Sequence, residues 1–222
     1  MVSLAIIVIL SYLVGSIPTS IIISKIVKGI DIRNYGSGNA GGTNVMRVLG
    51  WKYGVLVILL DAIKGSIAVI LIARLHSGIL PFENVSPFDD FTLVQIIAGI
   101  SAVVGHIWTI FAGFRGGKGI ATALGMLIMI ITVDILIALA VFVLTVTISR
   151  YVSLGSILGA ISVPATLIIR ENVFHSHIEG YYTILPFAIG ICLLILFTHR
   201  KNIVRIINGT ENRISFKRKE IK

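Results

Sequence analysis

Glycines, hydroxyls and a guanidinium crowd together in the stretch from Asn34 to Arg47, NYGSGNAGGTNVMR. Gly36, Gly38 and Gly41 spell G-x-G-x-x-G, a spacing that lets backbone N–H groups close on an anion because no Cβ stands in the way. Ser37, Thr43 and Asn44 add side-chain donors, with Gly38 and Asn39 between them. Arg47 brings a guanidinium able to hold a phosphate through two parallel hydrogen bonds. No strand precedes the pattern, so a dinucleotide-binding βαβ unit is excluded, while phosphate binding needs no such unit.

A second stretch, GHIWTIFAGFRGGKGIAT from Gly105 to Thr122, runs Gly116, Gly117, Lys118 and Gly119 straight into apolar sequence. Amides at a helix N-terminus beside a lysine attract anions. An ATP-binding P-loop is excluded, because Gly119 follows Lys118 where Ser or Thr is required and Ala112 occupies the first glycine position. In a third stretch, THRKNIVRIINGTENR from Thr198 to Arg213, His199 and Asn202 share a helix face at i, i+3 and Arg205 continues it. Arg200 and Lys201 fall on the other side and suit lipid phosphates, as does the basic run Phe216 to Lys219.

Polar residues inside apolar runs are fewer. Asp61 and Lys64 in LLDAIKG stand at i, i+3 and read either as an ion pair or as a pocket wall, since intramembrane charges face a bundle interior or a cavity. His106, near the middle of the third apolar run, is an interior histidine or a proton acceptor. Ser153 and Ser156 in YVSLGS sit at the mouth of a later run. His175 and His177 belong to an outer loop and Cys192 stands alone, so neither a metal site nor a disulfide framework is expected.

What must position these residues is membrane sequence. The 222 residues are 56% hydrophobic and 13% charged, with mean hydropathy +0.99, against roughly 25% charged in a soluble domain. A polytopic helical bundle follows, because apolar runs of this length exceed a strand and lipid offers the backbone no partners. No basic n-region or small-residue cleavage site opens the chain, so the first run reads as a retained helix. The net charge of +9 points to anionic lipid and cytoplasmic loops and not to nucleic acid.

The runs cover about 3–24, 53–73, 92–113, 120–149, 152–169 and 181–197. Residues 25–52, 114–119 and the tail from 198 are basic, whereas 76–91 carries only acidic charge and 170–180 one Arg against two Glu. Cationic loops lie inside. A 30-residue helix over 120–149 would be about 45 Å long against a ~30 Å core. Splitting that run at Thr132-Val133-Asp134 into a hairpin gives seven transmembrane helices, N-terminus outside and C-terminus cytoplasmic. The alternative is one tilted helix. The chain reads as one domain, 1–222, with cytoplasmic motif segments at 34–52, 114–122 and 198–213.

The motifs GSGNAGGTNVMR, GHIWTIFAGFRGGKGIAT and HRKNIVRIINGTE, with DAIKG and YVSLGS between them, resemble the three cytoplasmic motifs of the bacterial acyl-phosphate:glycerol-3-phosphate acyltransferase (PlsY) family. Thr109 stands where that family usually has proline, a departure that bears on a bend in the third helix; Arg115 and Ile206 are milder departures. The resemblance implies transfer of a fatty acyl group from acyl phosphate to the 1-hydroxyl of sn-glycerol 3-phosphate, without cofactor or metal. It gives Ser37, Arg47 and Lys118 to substrate phosphates, and Ser153, His199 and Asn202 to the glycerol phosphate pocket. Gly38, Asn39, Thr43, Asn44, Gly116 and Gly117 join the binding set, and Glu211 takes a structural role. It also implies a multi-pass protein of the bacterial inner membrane, a cytoplasmic-face active site, and the soluble acyl-phosphate synthase as a candidate partner.

Either His199, His106 or a substrate phosphate serves as general base. The H-x-x-x-x-D signature of other glycerol phosphate acyltransferases is absent. A transporter of organic phosphates would need donor-rich segments on both sides of the membrane, and a phosphatidyltransferase an aspartate cluster; the sequence has neither.

Overall fold

The computed structural model describes residues 3–85, 90–178 and 180–214, so the run Phe216 to Lys219 lies outside the described residues. All regular structure among them is helical: α1 (Leu4–Ser16), α2 (Thr19–Lys28), α3 (Gly42–Leu49), α4 (Trp51–Ile67), α5 (Asp90–Ile107), α6 (Ile120–Leu127), α7 (Thr132–Ser149), α8 (Val152–Asn172) and α9 (Tyr181–Ile207). Among the described residues, six stretches are long and apolar enough to cross a bilayer: Leu4–Lys28, Trp51–Leu75, Asp90–Ala112, Thr132–Ser149, Val152–Asn172 and Tyr181–Ile207.

The 120–149 run is not one tilted helix. It breaks after Leu127, and α7 restarts at Thr132. The eight residues of α6 rise only about 12 Å as a regular helix, so α6 is much shorter than the half-hairpin the sequence suggests. The first run also departs from expectation. It breaks at Ile17, where ψ is 115°, because Pro18 lacks an N–H and disfavours the helical conformation of the residue before it. Trp51–Leu75 widens into a π-helical turn over Ala68–Ile72, and Gln95 Nε2 donates to the Val69 carbonyl there at 3.1 Å.

Packing divides the chain into two compact units, Met1–Thr132 with His177–Ile184, and Val133–Ser176 with Leu185–Lys222. The first is sewn together by glycines. A Cβ on Gly15 would strike the backbone of Ala102, and one on Gly105 the backbone of Tyr12, so α1 and α5 touch backbone to backbone. Gly65 lies against Thr122 and Gly125 against Ala62 in the same manner, joining α4 to α6. Small residues allow this approach where lipid removes the usual hydrophobic drive for association. In the second unit, Gly155 and Gly159 on α8 seat against Phe142, Val146 and Ala138 on α7. Arg170 Nη1 pairs with the buried Asp134 carboxylate at 2.6 Å.

Candidate functional site

In the first unit the glycine-rich loop ending in α3 is organised by one side chain. Asn44, 1% exposed, points its amide nitrogen at the carbonyls of Ile32, Tyr35 and Asn39 at 3.1, 2.9 and 3.1 Å, and its Oδ1 accepts the Ser37 N–H at 2.8 Å. Gly36 and Gly38 take positive φ, 61° and 73°, and a Cβ on Gly36 would collide with the Asn44 oxygen. The loop therefore has a fixed shape. It delivers Gly42 and Thr43 as the first residues of α3, with half-buried Thr43 and exposed Arg47 one turn apart on one face.

The loop is tied to the second glycine-rich stretch. Arg33 pairs with Asp31 at 2.7 Å and donates through Nη1 to the Ala112 carbonyl at 2.8 Å. The Arg33 hydrogen bonds bring the Asp31 pKa down to about 2, and Asp31 in turn raises that of Arg33. Beyond Ala112 the chain turns back on the end of α5. Gly116 N–H donates to the Ile107 carbonyl and Gly117 N–H to that of His106, both at 3.1 Å. These two amides, expected to face an anion, are committed to α5. The glycines serve the close approach instead: a Cβ on Gly116 would meet the His106 carbonyl, and one on Gly117 would meet His106 Nε2. Lys118 is half-buried just before Gly119, which opens α6 with φ 85°.

Below this junction lies a buried polar cluster. Asp61, Lys64 and His106 are 1%, 5% and 7% exposed. Asp61 Oδ1 accepts from Lys64 Nζ at 2.7 Å and from Thr19 Oγ1 at 2.5 Å. Lys64 Nζ also donates to the Ile17 and Gly15 carbonyls, at 2.8 and 3.3 Å, which the break at Pro18 had freed. Thr109 Oγ1 donates to the Ser16 carbonyl. Thus the hydroxyl at the position where proline is usual ties the end of α5 to the broken first run, and α5 still stops at Ile107. His106 sits one residue from that end and not mid-helix. Both sequence readings of Asp61–Lys64 hold at once, since the pair is made and Lys64 also lines a cavity with His106, Thr19 and Thr109.

The second unit builds its own constellation. His199 and Asn202 are buried on one face of α9 with Arg205 continuing it, while Arg200 is exposed and stacks over Phe197. His199 Nδ1 lies 2.9 Å from the Ile195 carbonyl, so Nδ1 carries the proton. Glu211 Oε1 accepts from Ser153 Oγ at 3.0 Å and Asn202 Nδ2 at 2.9 Å, and Oε2 from Arg205 Nε at 2.7 Å. Burial alone would raise the Glu211 pKa, but bonds from Arg205, Asn202 and Ser153 outweigh it and hold the group below the ordinary carboxylate value. Ile214 N–H donates to the Arg150 carbonyl, so the chain after α9 is held against the α7–α8 turn.

Sequence reasoning named Asp61, Lys64 and His106 but missed Thr19 and the break that recruits it. Pro18 was the available signal. It also gave Asn44 to substrate, whereas the structure spends its amide on the loop.

The family model described as glycerol-3-phosphate acyltransferase matches residues 5–209. A glycerol-3-phosphate acyltransferase of Chlorobaculum tepidum is 48% identical over 231 residues, covering 96% of this chain and 97% of its own. That of Chlorobium phaeobacteroides is 47% identical, covering 98% and 99%. The crystal structure of PlsY (YgiH), an integral membrane glycerol 3-phosphate acyltransferase in its glycerol 3-phosphate form, superposes with a TM-score of 0.79 at 38% identity over 96% of each chain. Its lysophosphatidic acid form gives 0.77 at 37% identity, over 96% of this chain and 95% of that one.

Proposed function

Because this chain belongs to the PlsY family of glycerol-3-phosphate acyltransferases, we propose that its donor is an acyl phosphate. The fatty acyl group passes to the 1-hydroxyl of sn-glycerol 3-phosphate, giving 1-acyl-sn-glycerol 3-phosphate and phosphate. The observation that carries the reading is the Asn44-locked glycine loop opening α3, with Thr43 and Arg47 on the adjoining face. A preorganised loop ending in a helix N-terminus is suited to a phosphate dianion. Both substrates bear one.

An acyl phosphate is already activated, so the protein need supply mainly positioning and charge stabilisation. Ser37, Thr43, Arg47 and Lys118 take substrate phosphates, with Gly38 and Asn39 shaping the loop around them. In the second unit, Ser153, His199 and Asn202 take glycerol phosphate, and Glu211 holds Ser153 and Asn202 in place. Lys118 and the start of α6, not the Gly116 and Gly117 amides, carry the anion-binding role of the second stretch. The basic segments 25–52 and 114–119 and the basic tail support a reaction at the cytoplasmic face of a bacterial inner membrane, and the same charges support seven spans with the N-terminus outside and the C-terminus cytoplasmic. The soluble synthase that makes acyl phosphate docks at the same face.

The test uses purified protein, palmitoyl phosphate and labelled glycerol 3-phosphate, without CoA. Labelled lysophosphatidic acid is expected. No product from acyl phosphate, or equal turnover from acyl-CoA, overturns the donor assignment.

A further inference from the structure

After α9 the chain turns back and runs along the α7–α8 turn. Gly209, with φ 68°, ends the helix: its N–H donates to the Ile206 carbonyl at 3.1 Å, and that of Thr210 to the Arg205 carbonyl at 2.8 Å. Beyond that cap, Glu211 Oε1 accepts from Ser153 Oγ, Arg213 Nε donates to the Tyr151 hydroxyl at 3.0 Å, and the Ile214 N–H donates to the Arg150 carbonyl at 2.8 Å. As one segment steps forward from 211 to 214, the other steps back from 153 to 150, so the two lie antiparallel in a fixed register. The Arg213 guanidinium carbon also stands over the Tyr151 ring, 5.0 Å from its centre. Arg150 takes φ 62°, a conformation uncommon outside glycine, and Tyr151 follows at the N-cap of α8 in extended backbone. Glu211 thus hangs between two anchors, the cap of α9 on one side and the Arg213–Tyr151 clasp on the other.

We propose that Tyr151 and Arg213 are positioning residues for the acceptor site, an inference resting on the acyl-transfer reading above. Ser153 Oγ and Asn202 Nδ2 both donate to Glu211 Oε1, at 3.0 and 2.9 Å, so the place of this one oxygen orients two side chains assigned to glycerol phosphate. Arg205 holds the other carboxylate oxygen from α9. The clasp and the Ile214 bond tie the far end of the segment to the turn that leads into α8, the helix carrying Ser153. With the clasp open, Glu211 stays anchored to α9 and drifts from Ser153. Arg213 is exposed and Tyr151 half-buried, so the clasp can open without unfolding the helices. It tunes affinity for glycerol 3-phosphate and leaves the acyl-phosphate contacts of the first unit untouched.

Arg213→Ala is expected to raise KM for glycerol 3-phosphate about fivefold, the lower end for losing an exposed hydrogen bond and a cation–π contact together. Its kcat and its KM for acyl phosphate are expected to change less than about twofold. Arg213→Lys keeps a cation over the ring and is expected to recover about half of the loss, and Tyr151→Phe, which keeps the ring without the hydroxyl, falls between Arg213→Ala and wild type. On the wild-type protein, hydrogen exchange read by mass spectrometry reports the same coupling in reverse. Saturating glycerol 3-phosphate is expected to slow exchange over residues 209–214 by the same factor, about fivefold, because coupling between two equilibria is reciprocal. An Arg213→Ala variant whose KM for glycerol 3-phosphate stays within about twofold of wild type overturns the inference, and so does one whose two KM values rise together. Exchange indifferent to glycerol 3-phosphate also overturns it, and that experiment decides where the variants do not fold. A wild-type chain that turns over no acyl phosphate overturns the acyl-transfer reading itself, which separates the two failures.

Discussion

Replacing Glu211 by alanine removes one carboxylate and strands three donors. Ser153 and Asn202 are buried, 7% and 4% exposed. A buried donor left without its acceptor costs about 1–3 kcal/mol. The Arg205 guanidinium side chain is 33% exposed, so its ion pair contributes no more than about 1 kcal/mol. Together these give about 2–7 kcal/mol. At roughly 2–4 °C per kcal/mol for a chain of this length, Tm falls by roughly 4–28 °C. Glu211→Gln keeps an oxygen for Ser153 and Asn202 and forfeits only the ion pair, so its loss is about 1 kcal/mol and roughly 3 °C. The pH dependence has a definite sign. A carboxylate with a lowered folded pKa contributes stability above its unfolded value, here 4.5, and that contribution is lost as pH falls through the folded value. The gap between wild type and Glu211→Gln therefore closes below about pH 4.5. A thiol-reactive dye reads the melt, because the free thiol of Cys192 is buried until the helices separate. An alanine variant melting within about 2 °C of wild type at pH 7, a loss of no more than about 1 kcal/mol on the same conversion, refutes the stabilising role of the Glu211 carboxylate.

Arg47→Ala and Lys118→Ala are each expected to lower kcat/KM by roughly 10- to 100-fold in folded protein, since a charge-assisted hydrogen bond contributes about 1.5–3 kcal/mol. Arg47→Lys stays impaired because it loses the bidentate fork, while Arg200→Ala stays near wild type; steady-state kinetics on monodisperse variants decide. Asn44→Ala is expected to raise KM and expose the 34–41 loop to limited proteolysis, whereas an unchanged digestion pattern shows that the loop holds its shape without the amide. Membrane-impermeant maleimide on intact cells, in a Cys192→Ser background, is expected to modify Asn84→Cys and miss Gly209→Cys, and the reverse pattern inverts the topology.

Much of this was legible because charge and hydropathy act over long windows. The helical class and the separation of His199, Asn202 and Arg205 from Arg200 come straight from composition and from the i, i+3 spacing. The restart at Thr132 was legible too, since a 30-residue run cannot lie comfortably in ~30 Å of hydrocarbon. What stayed hidden depends on partners distant in sequence. Lys64 reaches carbonyls of residues 15 and 17 across 49 and 47 positions, and Thr109 reaches Ser16 across 93. No local pattern encodes such contacts. The fate of the Asn44 amide escaped for a related reason, because an exposed-looking asparagine in a glycine loop is equally suited to ligand and to backbone.

The two glycine-rich stretches look alike in sequence and do opposite work with their amides. In the first, one asparagine spends its whole side chain on the loop that opens α3. In the second, Gly116 and Gly117 give their amides to the Ile107 and His106 carbonyls of α5. Glycine is required in the first for left-handed backbone at Gly36 and Gly38, and in the second for contact with His106. A methyl at Gly38 thus strains a loop, at roughly 1 kcal/mol. A methyl at Gly117 would strike the His106 ring at Nε2. The same residue type, read as one motif, answers to conformation in one case and to close packing in the other.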